Sequence, residues 1–289
     1  MHQITCIDGL WIPNPNRGND LGLWRGDSVV EVLEARGNIL FHWEDHYRRM
    51  LVACTGHISL DKLPREEDIL QKLKFLLTRG GHSYSIVHMQ VTPGNSADLK
   101  IPDGKPMLTL DVGLHQIQDV APLSLKTIPE RRIFPLLKLG SSYGNIPRFM
   151  RHYKVKEDGF DSFLYWSGRQ GILEAPYENI FYVTKDRWLF TAEAGVLHGI
   201  TRKIILALAE KSKLFRGISK TKVHVPMLET CNEAFLTSTT KGTAPIKRID
   251  EYVNFKTGDK TYTAKLRKLF LKYRENYYKE RGAAALAHN

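Results

Sequence analysis

The chain has 289 residues, 42% hydrophobic, 25% charged and 10% aromatic, a composition that excludes a mainly disordered or collagen-like protein. Its length is about twice the commonest domain size of roughly 100–150 residues, which points to two lobes. A formal net charge of +11 admits nucleic acid, a membrane surface or an anionic small molecule as partner, whereas no run approaches the roughly 18 apolar residues of a membrane span.

The opening residues, MHQITCIDGLW, carry neither a basic leader nor an apolar run of signal-peptide length, and Cys6, Cys54 and Cys231 form no CxxC pair; a cytoplasmic protein with free thiols is expected. Gly26-Asp27-Ser28 leads into an extended apolar run over 29–33, and Arg36-Gly37-Asn38 turns the chain back into 39–41 as a hairpin. Trp43, Tyr47, Met50, Leu51 and Cys54 share one face of a helix over 43–54. A second helix follows Pro64, with Ile69, Leu70, Leu73, Leu76 and Leu77 at helical spacing and Gly80-Gly81 at its end. Strands near 83–92 and 106–112 complete a smaller N-terminal α/β lobe, residues 1–115, before an expected linker over 116–122.

The larger C-terminal lobe, 123–289, has strands expected near 123–128 and 133–139, a helix over 145–156 and a hairpin around Gly168-Arg169-Gln170-Gly171. Strands near 179–183 and 188–190, a helix over 201–213 and strands near 222–225 and 233–237 give it a strand-rich core, so the fold class is α+β. The basic terminal helix over 259–281 interleaves Phe270, Tyr273, Tyr277 and Tyr278 with lysines and arginines, as a nucleic-acid surface or as the buried face of a closing helix.

Several segments have residues that carry chemistry. Lys138 ends the apolar stretch Phe134-Pro135-Leu136-Leu137, where desolvation would make its amine a Schiff-base nucleophile, or where its head reaches water. Gly140-Ser141-Ser142-Tyr143-Gly144 fits the GxSxG pattern of a hydrolase elbow, with His198 or His224 as base, or is a small-residue turn. Glu174, in a turn between strands, either meets a buried cation or protonated ring nitrogen, or caps the turn. The run 196–202 opens a helix at Ile200 and Thr201, and the hydroxyl-rich turn 237–243 follows a strand; both suit a phosphorylated ligand. Arg49 lies on the first helix, off the face of Tyr47, Met50 and Leu51, its guanidinium free to reach an anion. His42 and His46 lie four apart without the HExxH pattern or a third ligand, so no metal is expected, and GxGxxG and GxxxxGK[ST] are absent.

Taken in order, Gly26–Glu31 (numbers 26–31), the Asp45-His46-Tyr47-Arg48-Arg49-Met50 helix, Lys138, Glu174 with Asn179-Ile180-Phe181, Gly199-Ile200-Thr201-Arg202 and Thr237-Ser238-Thr239-Thr240 resemble the fold-type IV pyridoxal-phosphate enzymes, the class IV aminotransferases. The match spans about 24–250 and is similar to D-amino acid and branched-chain aminotransferases, with aminodeoxychorismate lyase as a related branch. The resemblance implies a two-lobed fold and a pyridoxal 5'-phosphate cofactor, bound by Lys138 as a Schiff base. It implies Glu174 at the pyridine nitrogen, Arg49, Ile200, Thr201, Ser238 and Thr239 around the phosphate, and Tyr143 beside the cofactor. An aminotransferase acting on an amino acid and a 2-keto acid, as a homodimer, is the function implied; a lyase is the alternative within the family, and a GxSxG hydrolase or nucleic-acid-binding protein the alternatives outside it.

The substrate end departs from the family pattern. Val30 replaces a usual aromatic, 95–102 lacks the Arg-x-His pair of D-amino acid members, and the strand of His88 and Gln90 lacks the arginine of branched-chain members. Arg25 and Lys241 are the candidate partners of the substrate carboxylate, with Thr240 beside Lys241, and Glu178 stands where small residues are usual.

Overall fold

The computed structural model describes residues 4–7, 10–13, 18–115, 119–143, 145–251 and 253–287. The chain divides into two compact units, 1–114 with 137–145, and 115–136 with 146–289. Segment 137–145, which carries Lys138, therefore packs with the first unit, although chain order assigned it to 123–289. Residues 116–118 of the expected linker lie outside the described residues.

In the first unit, β1 (Ile4–Ile7) and β2 (Leu10–Pro13) pair antiparallel, and the Asp20 carboxylate caps α1 (Leu21–Arg25) by accepting from Gly22 and Leu23 N–H. β3 (Val29–Arg36), β4 (Ile39–Leu40), β5 (Tyr84–Thr92) and β6 (Met107–Leu114) form an antiparallel sheet in the order β4-β3-β5-β6. The β3–β4 hairpin turns at Gly37-Asn38, with Gly37 at φ 54. Alternation sends Val29, Glu31, Leu33 and Ala35 to one face of β3. The apolar members pack there against Trp43, Met50 and Cys54 of α2 (Trp43–Cys54) and Ile69, Leu73 and Leu77 of α3 (Glu66–Gly80). Gly81 ends α3 in the left-handed region, its N–H donating to Leu77 O.

The strand expected over 133–139 does not form. Ile133, Phe134 and Leu136 are exposed, Phe134 has φ 51, and only Leu139 makes a bridge, to Val29. Pro135 offers no N–H to a ladder, so the apolar run had no hydrogen-bonding partner strand to satisfy. A short helix, α4 (Gly140–Tyr143), follows.

The second unit comprises β7 (Leu123–Ile128), α5 (Ile146–Glu157), β8 (Ser162–Ser167), β9 (Gly171–Ile172), β10 (Asn179–Thr184), β11 (Trp188–Thr191), α6 (Ile200–Ser212), β12 (Gly217–Lys220), β13 (Cys231–Ser238), β14 (Gly242–Ile249), β15 (Val253–Asn254) and α7 (Tyr262–Ala287). Its sheet runs β12-β11-β10-β13-β14-β7-β8-β9 with β15 on β14, and the β11/β12, β14/β7 and β7/β8 pairs are parallel. Leu125, Leu164, Ile180, Tyr182, Leu236 and Ile246 form the core of one side. The strand expected near 222–225 lies instead at β12, and Val223 makes only a bridge to Ile172. On α7, Leu266, Phe270 and Tyr278 recur at multiples of four and are buried as the helix packs on β13, β14 and α6. Phe270 and Tyr278 thus belong to the inner face of a closing helix, while Tyr273 and Tyr277 are half-buried. No helix among the described residues is long and apolar enough to cross a membrane.

Candidate active site

Lys138 sits in an irregular segment pinned to β3: Val30 N–H donates to its carbonyl at 3.0 Å, Gly140 N–H donates to Ser28 O at 2.7 Å, and Leu139 bridges Val29. Its side chain is half-buried rather than enclosed in a strand. On the helix-covered face of β3, the Glu31 carboxylate accepts from Arg49 Nε and Nη2, each at 2.7 Å, and from His46 Nδ1 at 2.8 Å. His46 and Arg49 are three residues apart on α2, which places both on the side facing the strand. A carboxylate can only accept, so His46 Nδ1 carries the hydrogen.

Burial alone would raise the Glu31 pKa, but the Arg49 charge and its two hydrogen bonds, with help from His46, hold it well below the usual carboxylate range. Burial lowers the His46 pKa against the pull of Glu31, and the charges of Arg49 and Lys138 lower it further. The ring is therefore neutral at neutral pH, and Lys138 lies within electrostatic reach of this cluster. Arg49, expected to have its guanidinium free to reach an anion, gives Nε and Nη2 to Glu31. Sequence reasoning missed that role for Glu31; the available signal was an acidic residue at an inward position of a strand, followed by His-x-x-Arg on the next helix.

The remaining first-unit candidates separate. Val30 and His88 lie on the opposite face of the sheet, where Gln90 pairs with Val30 in register and donates to Ser28 Oγ at 3.1 Å. His88 Nδ1 is 3.4 Å from Asp111 on β6. Arg25 Nε donates to Leu99 O at 3.3 Å, and Leu99 has φ 58, so this arginine ties down loop 95–102. The same loop brings Lys100 to a cavity of about 340 Å³ lined also by Ser28, His57, Leu139 and Ser141. Lys100 and His57 were not recognised from sequence, because nothing in their spacing joins them. Ser142 is buried in α4 after a single bridge rather than a strand, which removes the hydrolase-elbow geometry. The Tyr143 side chain and Gly144 lie outside the described residues.

In the second unit Glu174 is almost completely buried. It is 2.9 Å from Arg132 Nη2 and accepts from Asn179 Nδ2 at 3.1 Å and from Leu197 N–H at 3.1 Å. Burial pushes its pKa up to about 7, against the pull of Arg132, the Leu197 N–H and Arg202, while Glu178 adds to the rise. Glu174 thus pairs with a buried cation, Arg132, and its bonds to Asn179 and Leu197 tie it to two further segments. Arg132 was also missed; its Nη2 donates to Ala175 O at 3.1 Å, and its guanidinium lies 5.5 Å from the Tyr165 ring.

Leu197, whose N–H donates to Glu174, lies two residues before Gly199, the N-cap of α6. Asn179 Nδ2 donates to Leu197 O at 2.7 Å, and a Cβ on Gly199 would collide with Asn179 Oδ1, so glycine is required at this approach. No side chain caps α6 among the described residues, leaving the amides around Ile200 and Thr201 at an open positive helix end. Ser238 and Thr239 are half-buried at the β13–β14 turn, where Ser238 Oγ is 3.5 Å from Thr240 Oγ1. Lys241 Nζ is 2.6 Å from Glu178 Oε1, so this candidate carboxylate partner is engaged by the acid that stands where small residues are usual. His42 Nδ1 pairs with Asp45 at 3.3 Å, so both histidines of the zinc-like spacing face carboxylates.

Comparisons with known proteins show the family and the fold. The Amino-transferase class IV family profile matches residues 28–249. A D-alanine aminotransferase from Staphylococcus epidermidis is 24% identical over 269 residues, 89% of this chain and 92% of that protein. Among solved structures, a Legionella pneumophila protein assigned as a 4-amino-4-deoxychorismate lyase superposes with a TM-score of 0.76 at 18% identity, over 90% of this chain and 96% of that one. The branched-chain aminotransferase of Thermoproteus uzoniensis gives a TM-score of 0.76 at 18% identity, covering 94% of each chain. With most of its length matched by the family profile, the chain belongs to the class IV aminotransferases, pyridoxal-phosphate-dependent transaminases of fold type IV.

Proposed function

We propose that Lys138 is the point at which pyridoxal phosphate is covalently held, and that the chain uses it to move an amino group between an amino acid and a 2-keto acid. The observation that carries this reading is Glu174: a buried carboxylate with a pKa of about 7, gripped by the residue that leads into an uncapped helix end. That donor set fits a ligand with a basic ring nitrogen and a phosphate. When bound, the cofactor supplies an electron-accepting ring that stabilises negative charge on the substrate Cα.

The chain's own groups would then divide the work. Glu174 would hold the proton of the ring nitrogen, its ionised form favoured by a second positive charge beside that of Arg132. Lys138 Nζ would take the Cα proton and return it at C4′. Arg49, the amides of Ile200 and Thr201, and the hydroxyls of Ser238 and Thr239 would bind the phosphate, with Tyr143 as an aromatic neighbour. For the substrate carboxylate, Arg25 is engaged by Leu99 O and Lys241 by Glu178. Lys100, lining a cavity beside Leu139 and Ser141, is the better-supported partner. Its replacement by alanine should raise KM more than it lowers kcat.

The D-alanine aminotransferase relatives make a small D-amino acid the first donor to try, with its L form alongside. A homodimer remains part of this reading on the family resemblance, and a cytoplasmic location is compatible with the free thiols of Cys54 and Cys231. The test is a half-reaction. With amino acid and no keto acid, a transaminase leaves pyridoxamine phosphate and one equivalent of keto acid; continued release of pyruvate with the aldehyde cofactor regenerated would establish a lyase instead.

A further inference from the structure

Arg49 is valuable to a phosphate only if its guanidinium stays in one orientation, and the structure contains a device for that. Glu31 takes Nε and Nη2 through its two oxygens, fixing the plane of the guanidinium as only a two-point bond can. His46 Nδ1 holds the same carboxylate from the preceding turn of α2. The Glu31 and His46 side chains are 0% and 2% exposed, against 15% for Arg49, so the acid and the imidazole form the inner support and the arginine the outer member.

We propose that Glu31 is a positioning residue for phosphate binding, acting through Arg49, with His46 locking the Glu31 carboxylate in place. The inference rests on the proposed role of Arg49 at the cofactor phosphate. The shape of the cluster argues for it. A buried glutamate needs only one cation for neutrality, and Arg49 provides it; the additional neutral His46 donor adds direction rather than charge. Outer partners that orient a binding group in this way commonly carry about 10-fold to 100-fold in affinity.

The test compares two ligands that differ by one group. Dissociation constants for pyridoxal phosphate and for unphosphorylated pyridoxal are measured on the full chain, for the parent, Glu31→Gln, Arg49→Ala and the double variant, with folding checked by melting. Glu31→Gln should weaken pyridoxal phosphate about 10-fold or more and leave pyridoxal within about 2-fold. In the Arg49→Ala background the same change should add little, since its route to the phosphate is already gone. Glu34→Gln, another buried carboxylate on β3, serves as control and should leave the ratio of the two constants unchanged. Glu31→Asp keeps the charge and retracts it by one carbon; measured in parallel, it should shift the ratio in the same direction and keeps the test decisive if the glutamine variant does not fold.

Equal weakening of both ligands, an unchanged ratio, or full additivity with Arg49→Ala would overturn the inference and make Glu31 a support of the fold alone. A parent protein that binds pyridoxal as tightly as pyridoxal phosphate would remove the phosphate reading beneath it, a failure visible before any variant is made.

Discussion

Glu31 in the first unit and Glu174 in the second are both almost fully buried and both face an arginine, yet they settle on opposite sides of the ordinary carboxylate range. The difference lies in how the cation is delivered. Arg49 gives Glu31 two hydrogen bonds and His46 gives a third. Arg132 offers Glu174 one nitrogen, which it shares with Ala175 O, and the other partners are neutral amides. Desolvation wins at Glu174 and loses at Glu31 because Arg49 meets its carboxylate through two hydrogen bonds and Arg132 through one nitrogen, not because burial differs. One carboxylate keeps its charge across the ordinary pH range, while the other takes up a proton near neutral pH.

The sharpest way to break this contrast is at Glu174. Glu174→Gln should lower turnover on the order of 10²–10⁴-fold, since an amide cannot hold the ring nitrogen protonated, while the melting temperature at neutral pH should not fall. Unchanged turnover in a cofactor-loaded variant would return Glu174 to a local structural role. Removing the arginines comes next. Arg49→Met strands a buried carboxylate that has been kept ionised and should cost about 3–5 kcal/mol in denaturant unfolding. Arg132→Met should cost less at pH 7, because Glu174 can take up a proton there; equal losses would erase the distinction.

A smaller and more specific effect is the pH dependence of the cofactor-free protein. Glu174 has a folded pKa of about 7 against an ordinary 4.5, so between those values the unfolded chain has released a proton that the folded chain keeps, and stability declines as pH rises. Glu174→Gln should remove that decline. Glu31 has the opposite sign: its folded pKa is lowered, so its contribution is present above about pH 4.5 and is lost as pH falls below that value. The smallest change is expected for Lys126→Met. Its ammonium and the Asp158 carboxylate it pairs with are each about a third exposed, and breaking the pair should barely move the denaturant midpoint.

Much of the fold was legible because its signals are local. The α2 face of Trp43, Met50 and Cys54, the Gly37-Asn38 turn and the Gly81 stop of α3 all depend on residues within a few positions of one another. The irregular segment before Lys138 was misread as a strand because its apolar residues are exposed for want of a partner ladder, which no property of the run itself reveals. Strand β14 escaped notice because Pro245 and the charged Lys247-Arg248 interrupt its apolar pattern, while its pairing to β13 and β7 is what makes it a strand. The same division holds at the site. Glu174, Ile200, Thr201 and Thr239 announce themselves by type and turn position, whereas Arg132 and Glu31 matter only through contacts 42 and 18 residues away in sequence. Likewise Lys241 and Glu178, separated by 63 residues, were each read as a substrate-side oddity until the structure paired them.

The claim on which the rest depends is that Lys138 carries the cofactor. The purified protein loaded with pyridoxal phosphate is reduced with borohydride, digested, and its peptides mapped by mass spectrometry. The pyridoxyl group should be found on Lys138 and should vanish in Lys138→Ala. A modified lysine elsewhere, or an unmodified Lys138 in protein whose cofactor absorbance has been bleached by the reductant, would contradict it.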